Sequence, residues 1–214
     1  MRKKTHKVLY PRIGHEIIIN EIPERSRVLD LGCGDGVLLE TLRDVKKVKG
    51  YGVEISEEGV SICLEKGLSC YQGDIDDGLE DFQDNSFDYV ILNQTIQNIK
   101  KPEFVLQEIL RIGVNAIISF PNFGYYRIRL QLMFQGTMPK NRLLPYEWYE
   151  TPNIHLLSIR DFQNYCGRHA YPVKLQDHFS QRADGSFFGV RVMANLFAQY
   201  GMFILDGGGF TGTG

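Results

Sequence analysis

The chain lacks the features that would place it in several large functional classes. It has no apolar run near the roughly 20 residues that cross a bilayer, so no membrane contact is expected anywhere in its 214 residues. Its basic start, MRKKTHK, leads into no apolar core, because Pro11, Arg12, Gly14 and His15 interrupt it, and no secretory leader is expected. Positive charge is not in excess. The formal net charge is -2, which leaves nucleic acid without a global field to attract it and makes it an unfavoured partner. The four cysteines, Cys33, Cys63, Cys70 and Cys166, contain no C-x-x-C pair. Such scatter suggests neither a metal site nor a disulfide framework, and it reads as reduced, mostly buried thiols in the cytoplasm. Internal repeats, heptads and low-complexity linkers are also missing. The one biased stretch is the glycine-rich end, expected to be a disordered tail over residues 206–214 behind a single domain of residues 1–205.

What is present is an ordinary globular composition, 43% hydrophobic and 23% charged, long enough for one α/β domain with a sizeable core. Short β-branched runs alternate with helical patterns, the signature of parallel strands joined by helices. Strands are predicted at 27–31, 48–54, 68–72, 87–92 and 114–120, with a closing pair at 173–179 and 188–197. Helices are predicted at 13–22, from Gly36, after Ser56, at 103–111 behind Pro102, at 123–134, and after the capping-box word Ser158-x-x-Asp161. Residues 136–157 carry Pro139, Pro145 and Pro152 with little periodicity; a long irregular segment of this kind usually serves function.

The strongest local signal is the run Val28, Leu29, Asp30, Leu31, Gly32, Cys33, Gly34, Asp35, Gly36. A hydrophobic strand runs into glycines at alternate positions, and a helix follows. Glycine is needed where the chain turns sharply and where a ligand must approach the backbone. The dinucleotide fingerprint G-x-G-x-x-G differs: here the third glycine arrives one position early and Val37 occupies the expected place. Asp30 and Asp35 would repel a pyrophosphate but would attract a sulfonium carrying an ammonium group. The bend, Asp30 to Gly36 with Cys33 inside it, is therefore expected to hold S-adenosylmethionine or S-adenosylhomocysteine. An NAD-dependent oxidoreductase is the minority alternative.

Two further strand ends carry acids. Glu54, followed by Ile55, closes the second strand, where a carboxylate can accept hydrogen bonds from both ribose hydroxyls. Asp74 and Ile75 follow the third, placed to meet the adenine amine and ring, although Asp76, Asp77 and Gly78 make this stretch turn-rich in any case. Asn93 lies beyond the fourth strand, on the carboxyl edge where open α/β sheets bind ligands, and is placed for the methionine moiety or for capping the next turn.

These residues resemble the class I S-adenosylmethionine-dependent methyltransferases. That resemblance implies a Rossmann-like seven-stranded, mostly parallel sheet of order 3-2-1-4-5-7-6, strand 7 antiparallel, with helices on both faces. Further words, LNQTIQ at 92–97, SFPNF at 119–123, Met138-Pro139, LPYEW at 144–148 and TPNIH at 151–155, resemble the MetW family of methionine-biosynthesis proteins over residues 10 to 205. The closer resemblance implies work with a homoserine O-acyltransferase, MetX, and leaves open whether a methyl group is transferred.

A sulfonium methyl is already electrophilic, so transfer needs in-line positioning more than a dedicated base, and no catalytic residue is predicted. An acceptor would enter under residues 136–157, with Tyr146, Trp148, Tyr149 and His155 as candidate lining groups. Packing or a partner surface is the competing role for each. The segment after strand four lacks the Asn-Pro-Pro-aromatic word of amino-methylating enzymes acting on nucleic acid or glutamine, which disfavours those substrates.

Overall fold

The computed structural model describes residues 14–141 and 143–208. Its elements alternate in the predicted sense. Helix α1 (His15–Glu21) precedes β1 (Arg27–Leu31), α2 (Val37–Lys46), β2 (Lys49–Glu54), α3 (Glu57–Glu65), β3 (Ser69–Gln72) and β4 (Phe87–Asn93). Then come α4 (Pro102–Ile112), β5 (Gly113–Pro121), α5 (Tyr126–Gln135), α6 (Ile159–Arg168), β6 (Val173–Gln181), β7 (Phe187–Gly189), α7 (Ala194–Phe197) and β8 (Tyr200–Asp206). Local chemistry sets several boundaries. Pro102 opens α4, the Ser56 hydroxyl accepts from Gly59 N at the start of α3, and Ser158 and Asp161 form the reciprocal capping box of α6.

The strands form one eight-stranded sheet of order β3-β2-β1-β4-β5-β8-β6-β7. β1 to β5 are mutually parallel, while β8 runs antiparallel between β5 and β6. This is the Rossmann-like methyltransferase arrangement, with one strand more than the expected seven. The addition is β7, three residues paired to the end of β6 across a turn in which Asp184 and Gly185 close the hairpin. Strand residues alternate between two cores. Leu29, Leu31, Val90 and Leu92 pack with α4 and α6, whereas Val28, Ile91 and Ile117 pack with α1, α2 and Ile128 of α5.

The closing pair needs correction. Residues 188–197 do not make a strand; they hold the end of β7, a left-handed Met193 (φ 47°) and the short α7. The second closing strand is β8, whose residues 200–205 are all buried. Covered on both faces, it reads as a continuous apolar run rather than as the alternation the prediction sought. Gly207 N donates to Val114 O just beyond it, and residues 209–214 of the expected tail lie outside the described residues. No helix among the described residues is long and apolar enough to cross a membrane.

Candidate functional site

The glycine bend is built from backbone geometry first. Gly32, Gly34 and Gly36 take φ of 75°, 57° and 70°, the left-handed region that favours glycine. Space adds a second requirement, because a Cβ on Gly32 would lie 2.8 Å from Thr95 Oγ1. Gly32 N and Cys33 N both donate to Val53 O, hanging the bend from β2. Glu54 then braces it: Gly34 N donates to Oε2 at 2.8 Å and Ser56 N to Oε1 at 2.9 Å. A carboxylate offers about four lone-pair directions. Both Glu54 oxygens can therefore accept one more donor each.

Above the bend, at the carboxyl ends of β1, β2 and β4, opens a cleft of about 650 Å³. Its lining includes Asp30, Gly32, Cys33, Gly34, Glu54, Ile55, Asp74, Ile75 and Asn93, so nine separately predicted residues meet around one space. Gly36 does not line it; it caps α2 instead. Asp30 is 3% exposed. Burial, with additions from Cys63 and Glu54, pushes its carboxyl up to about 7, because a charge there loses water and faces other acids. Such a pair favours an entering cation.

Asp74 has a turn role as well as a cleft position. Its Oδ1 accepts from Asp76 N at 2.9 Å, capping a 3-10 turn over Ile75–Asp77, and its Oδ2 lies 3.9 Å from Lys100 Nζ. Asp76, in the turn-rich stretch, is buried and accepts from the N–H groups of Lys100 and Lys101 at 3.0 and 2.8 Å. It fixes the segment entering α4. Asn93 accepts from Ser119 Oγ, and Gln94 (φ 57°) is held in a left-handed conformation by its N–H to Ser119 O at 3.0 Å. Backbone strain at a strand end facing a cleft is a recurrent mark of function.

The far wall comes from the irregular segment. Pro145, Tyr146, Pro152 and Asn153 reach the cleft, together with Gln97 and Asn98 from the turn after β4. Ile154 N and His155 N both donate to Gln97 O, at 2.8 and 3.0 Å, which clamps the segment onto that turn. Gln97 Nε2 donates to Gln94 O, while Gln97 Oε1 and Asn98 Oδ1 are buried with no hydrogen-bond partner among the described residues. Two unpartnered acceptors thus lie buried in side chains that line this wall. The predicted acceptor set narrows to Tyr146. Trp148 and Tyr149 are exposed and meet each other edge to face at 5.5 Å, and His155 uses its backbone rather than its exposed ring. None of these three lines the cleft.

Sequence spacing also hid a cluster. The sulfurs of Cys33, Cys63 and Cys70 lie within 4.8 Å of one another, because the β1-β2-β3 order brings three distant positions to one place behind the bend.

Comparison with known proteins agrees with this architecture. Residues 12–205 match the family described as methionine biosynthesis protein MetW. A relative from Rhodopirellula baltica, the bifunctional methionine biosynthesis protein MetXA/MetW, is 38% identical over 165 residues, 73% of this chain and 26% of that protein. The chain thus spans about a quarter of that relative's length. Among solved structures, a chain of the complex between the Haloferax volcanii Trm112 methyltransferase activator and the putative methyltransferase has a TM-score of 0.65 at 20% identity, covering 91% of this chain and 89% of that one. A Thermotoga maritima S-adenosylmethionine-dependent methyltransferase, a possible histamine N-methyltransferase, has a TM-score of 0.64 at 18% identity, with 90% and 86% covered. At such identities these two structures speak for the fold alone. The sheet order, the alternate-glycine bend between acids and the match over nearly the whole chain lead to one conclusion: the protein belongs to the MetW family.

Proposed function

We propose that this chain binds S-adenosylmethionine, or its product S-adenosylhomocysteine, in the 650 Å³ cleft, and that it acts in the cytoplasm with a homoserine O-acyltransferase of the MetX type. The observation that carries the cofactor reading is the buried Asp30 beside Glu54 at a bend without side chains. A sulfonium and an ammonium gain Coulomb energy there, whereas a diphosphate would be repelled. In this reading Glu54 accepts from the ribose hydroxyls through its remaining lone pairs. Ile55 and Ile75 flank the adenine, Asp74 accepts from its amine, and Asn93 meets the methionine moiety.

The partner reading rests on the fused relative, whose name joins MetXA and MetW in one polypeptide. Fusion keeps two modules at high effective concentration, a benefit when they work together. Four free thiols suit the reducing cytoplasm. The test is co-purification of the separate chain with the acyltransferase, followed by acyltransferase assays with and without it. Complex formation and a dependent activity are expected; no complex at micromolar concentration and no effect on activity would overturn the partnership.

A second reading, an active methyltransferase on a small-molecule or protein acceptor, is favoured by the reach of the cleft to Tyr146, Pro152 and Asn153 beyond the cofactor residues. Incubation with methyl-labelled cofactor and cell extract would label an acceptor. Silence in that assay, with cofactor bound, removes this reading and leaves the accessory role standing.

A further inference from the structure

We propose that Cys33, Cys63 and Cys70 form a site for one thiophilic divalent ion of the zinc class, tying the glycine bend to the elements behind it. The three residues come from the bend, α3 and β3. Cys33 Sγ lies 3.9 Å from Cys63 Sγ and 3.6 Å from Cys70 Sγ, and all three sulfurs fall within 4.8 Å of one another. Zinc–thiolate bonds of about 2.3 Å place the sulfurs of a tetrahedral site about 3.8 Å apart. The trio therefore already has two of the three required spacings.

A second observation concerns the surrounding backbone. A Cβ on Gly52 would stand 2.5 Å from Cys33 Sγ, and one on Gly36 would stand 2.7 Å from Cys63 Sγ. Gly52 thus leaves room for the Cys33 sulfur where any other residue would displace it, while at Gly36 the φ of 70° and Leu68 Cδ1 at 2.6 Å demand glycine as well. The donor set is sulfur alone, which selects soft or borderline ions over magnesium or calcium. With three protein donors the fourth position goes to water or a small exogenous ligand. Binding exchanges three S–H bonds for three sulfur–metal bonds and releases three protons to solvent. Cys70 is only partly buried, which gives the ion a way in.

Cys33 sits between Gly32 and Gly34, and the Gly34 N–H reaches Glu54. An ion holding Cys33 restricts that backbone and favours the geometry the cofactor meets. Only this coupling rests on the cofactor reading above; ion binding itself does not.

The experiment is a titration of the reduced, metal-free full chain with Co²⁺, followed by Zn²⁺. Expected are about one Co²⁺ per chain, a near-ultraviolet thiolate-to-cobalt charge-transfer band, and displacement by Zn²⁺. Cys63→Ser and Cys70→Ser should each lower affinity roughly tenfold or more. Cys166→Ser, on the opposite face of the sheet, should leave it unchanged. Cys70 is the least buried of the trio, so Cys70→Ser remains informative if Cys63→Ser does not fold. Absence of the band in the wild type, or an unchanged Co²⁺ affinity in Cys70→Ser, overturns the site. S-adenosylmethionine titrated with and without Zn²⁺ then reads the coupling: tighter binding with the ion supports it and equal binding refutes it. A chain that binds Co²⁺ but no cofactor sinks the cofactor reading alone.

Discussion

The two walls of the cleft are made in opposite ways. The bend wall is backbone held by backbone and by one buried carboxylate, with Gly34 and Ser56 both donating to Glu54. The other wall, residues 136–157, has no helix or strand among its described residues and exposes Met138, Trp148, Tyr149, Ile154 and Leu156. It is held at Gln97 O, by Phe123 N donating to Leu157 O and by the buried Leu143 and Leu144, while the Asn141 turn and the exposed Lys140–Glu147 ion pair are contacts within the segment. A wall fixed before its ligand arrives gives affinity and selectivity. A lightly pinned wall with apolar side chains turned outward suits a variable acceptor or a protein partner.

The largest effect should come from the bend wall. Asp30→Asn keeps the shape and removes the charge, so affinity for S-adenosylmethionine should fall by about 2 kcal/mol or more, roughly thirtyfold, as for a lost buried charge pair. Because burial opposes ionisation of Asp30, the same change should leave thermal stability at neutral pH equal or higher, read by melting. Loss of both binding and stability would mean that Asp30 is structural.

Next in size is a pair of glycines. Gly32→Ala puts a Cβ 2.8 Å from Thr95 Oγ1 at φ 75°, and should cost about 2 kcal/mol of stability and weaken cofactor binding about tenfold. At Gly136 (φ 62°) nothing lies within 4 Å of an added Cβ, so Gly136→Ala should cost about 1 kcal/mol and spare binding. Equal costs by denaturant unfolding would erase the contrast between the walls.

A pH series sharpens it further. Asp30 moves from 3.8 to about 7 on folding, so the folded chain holds this proton more tightly than the unfolded one. Its contribution to apo stability is fully present below pH 3.8 and is lost as pH rises through about 7. A cationic cofactor needs the ionised form, so affinity should rise about tenfold per pH unit toward 7 and then level. Flat affinity from pH 5 to 8 would remove Asp30 from the contact. The smallest effect belongs to the outer wall: Trp148→Ala should change stability by about 0.5 kcal/mol or less and leave cofactor affinity unchanged.

Sequence legibility follows the same division. The bend, the acid at the end of β2 and the Ser158–Asp161 box were readable because each is a local solution to a local problem: positive φ, a strand end, orphan N–H groups. β8 was missed because a strand covered on both faces loses its alternation, and the 188–197 stretch imitated one until Met193 broke it. Gln97 closes a family word, but its role carried no local signal, since it comes from the far segment that docks on its carbonyl. Trp148 and Tyr149 were composition without direction; a sequence does not tell which way an irregular segment turns its rings. The cysteine trio needed the strand order.

Calorimetric titration of the chain with S-adenosylmethionine, and separately with NAD, tests the central claim most directly. The account predicts saturable binding of about one S-adenosylmethionine per chain, no uptake of NAD, and marked weakening in both Asp30→Asn and Glu54→Gln. Binding of NAD, or unchanged S-adenosylmethionine affinity in both variants, would contradict it.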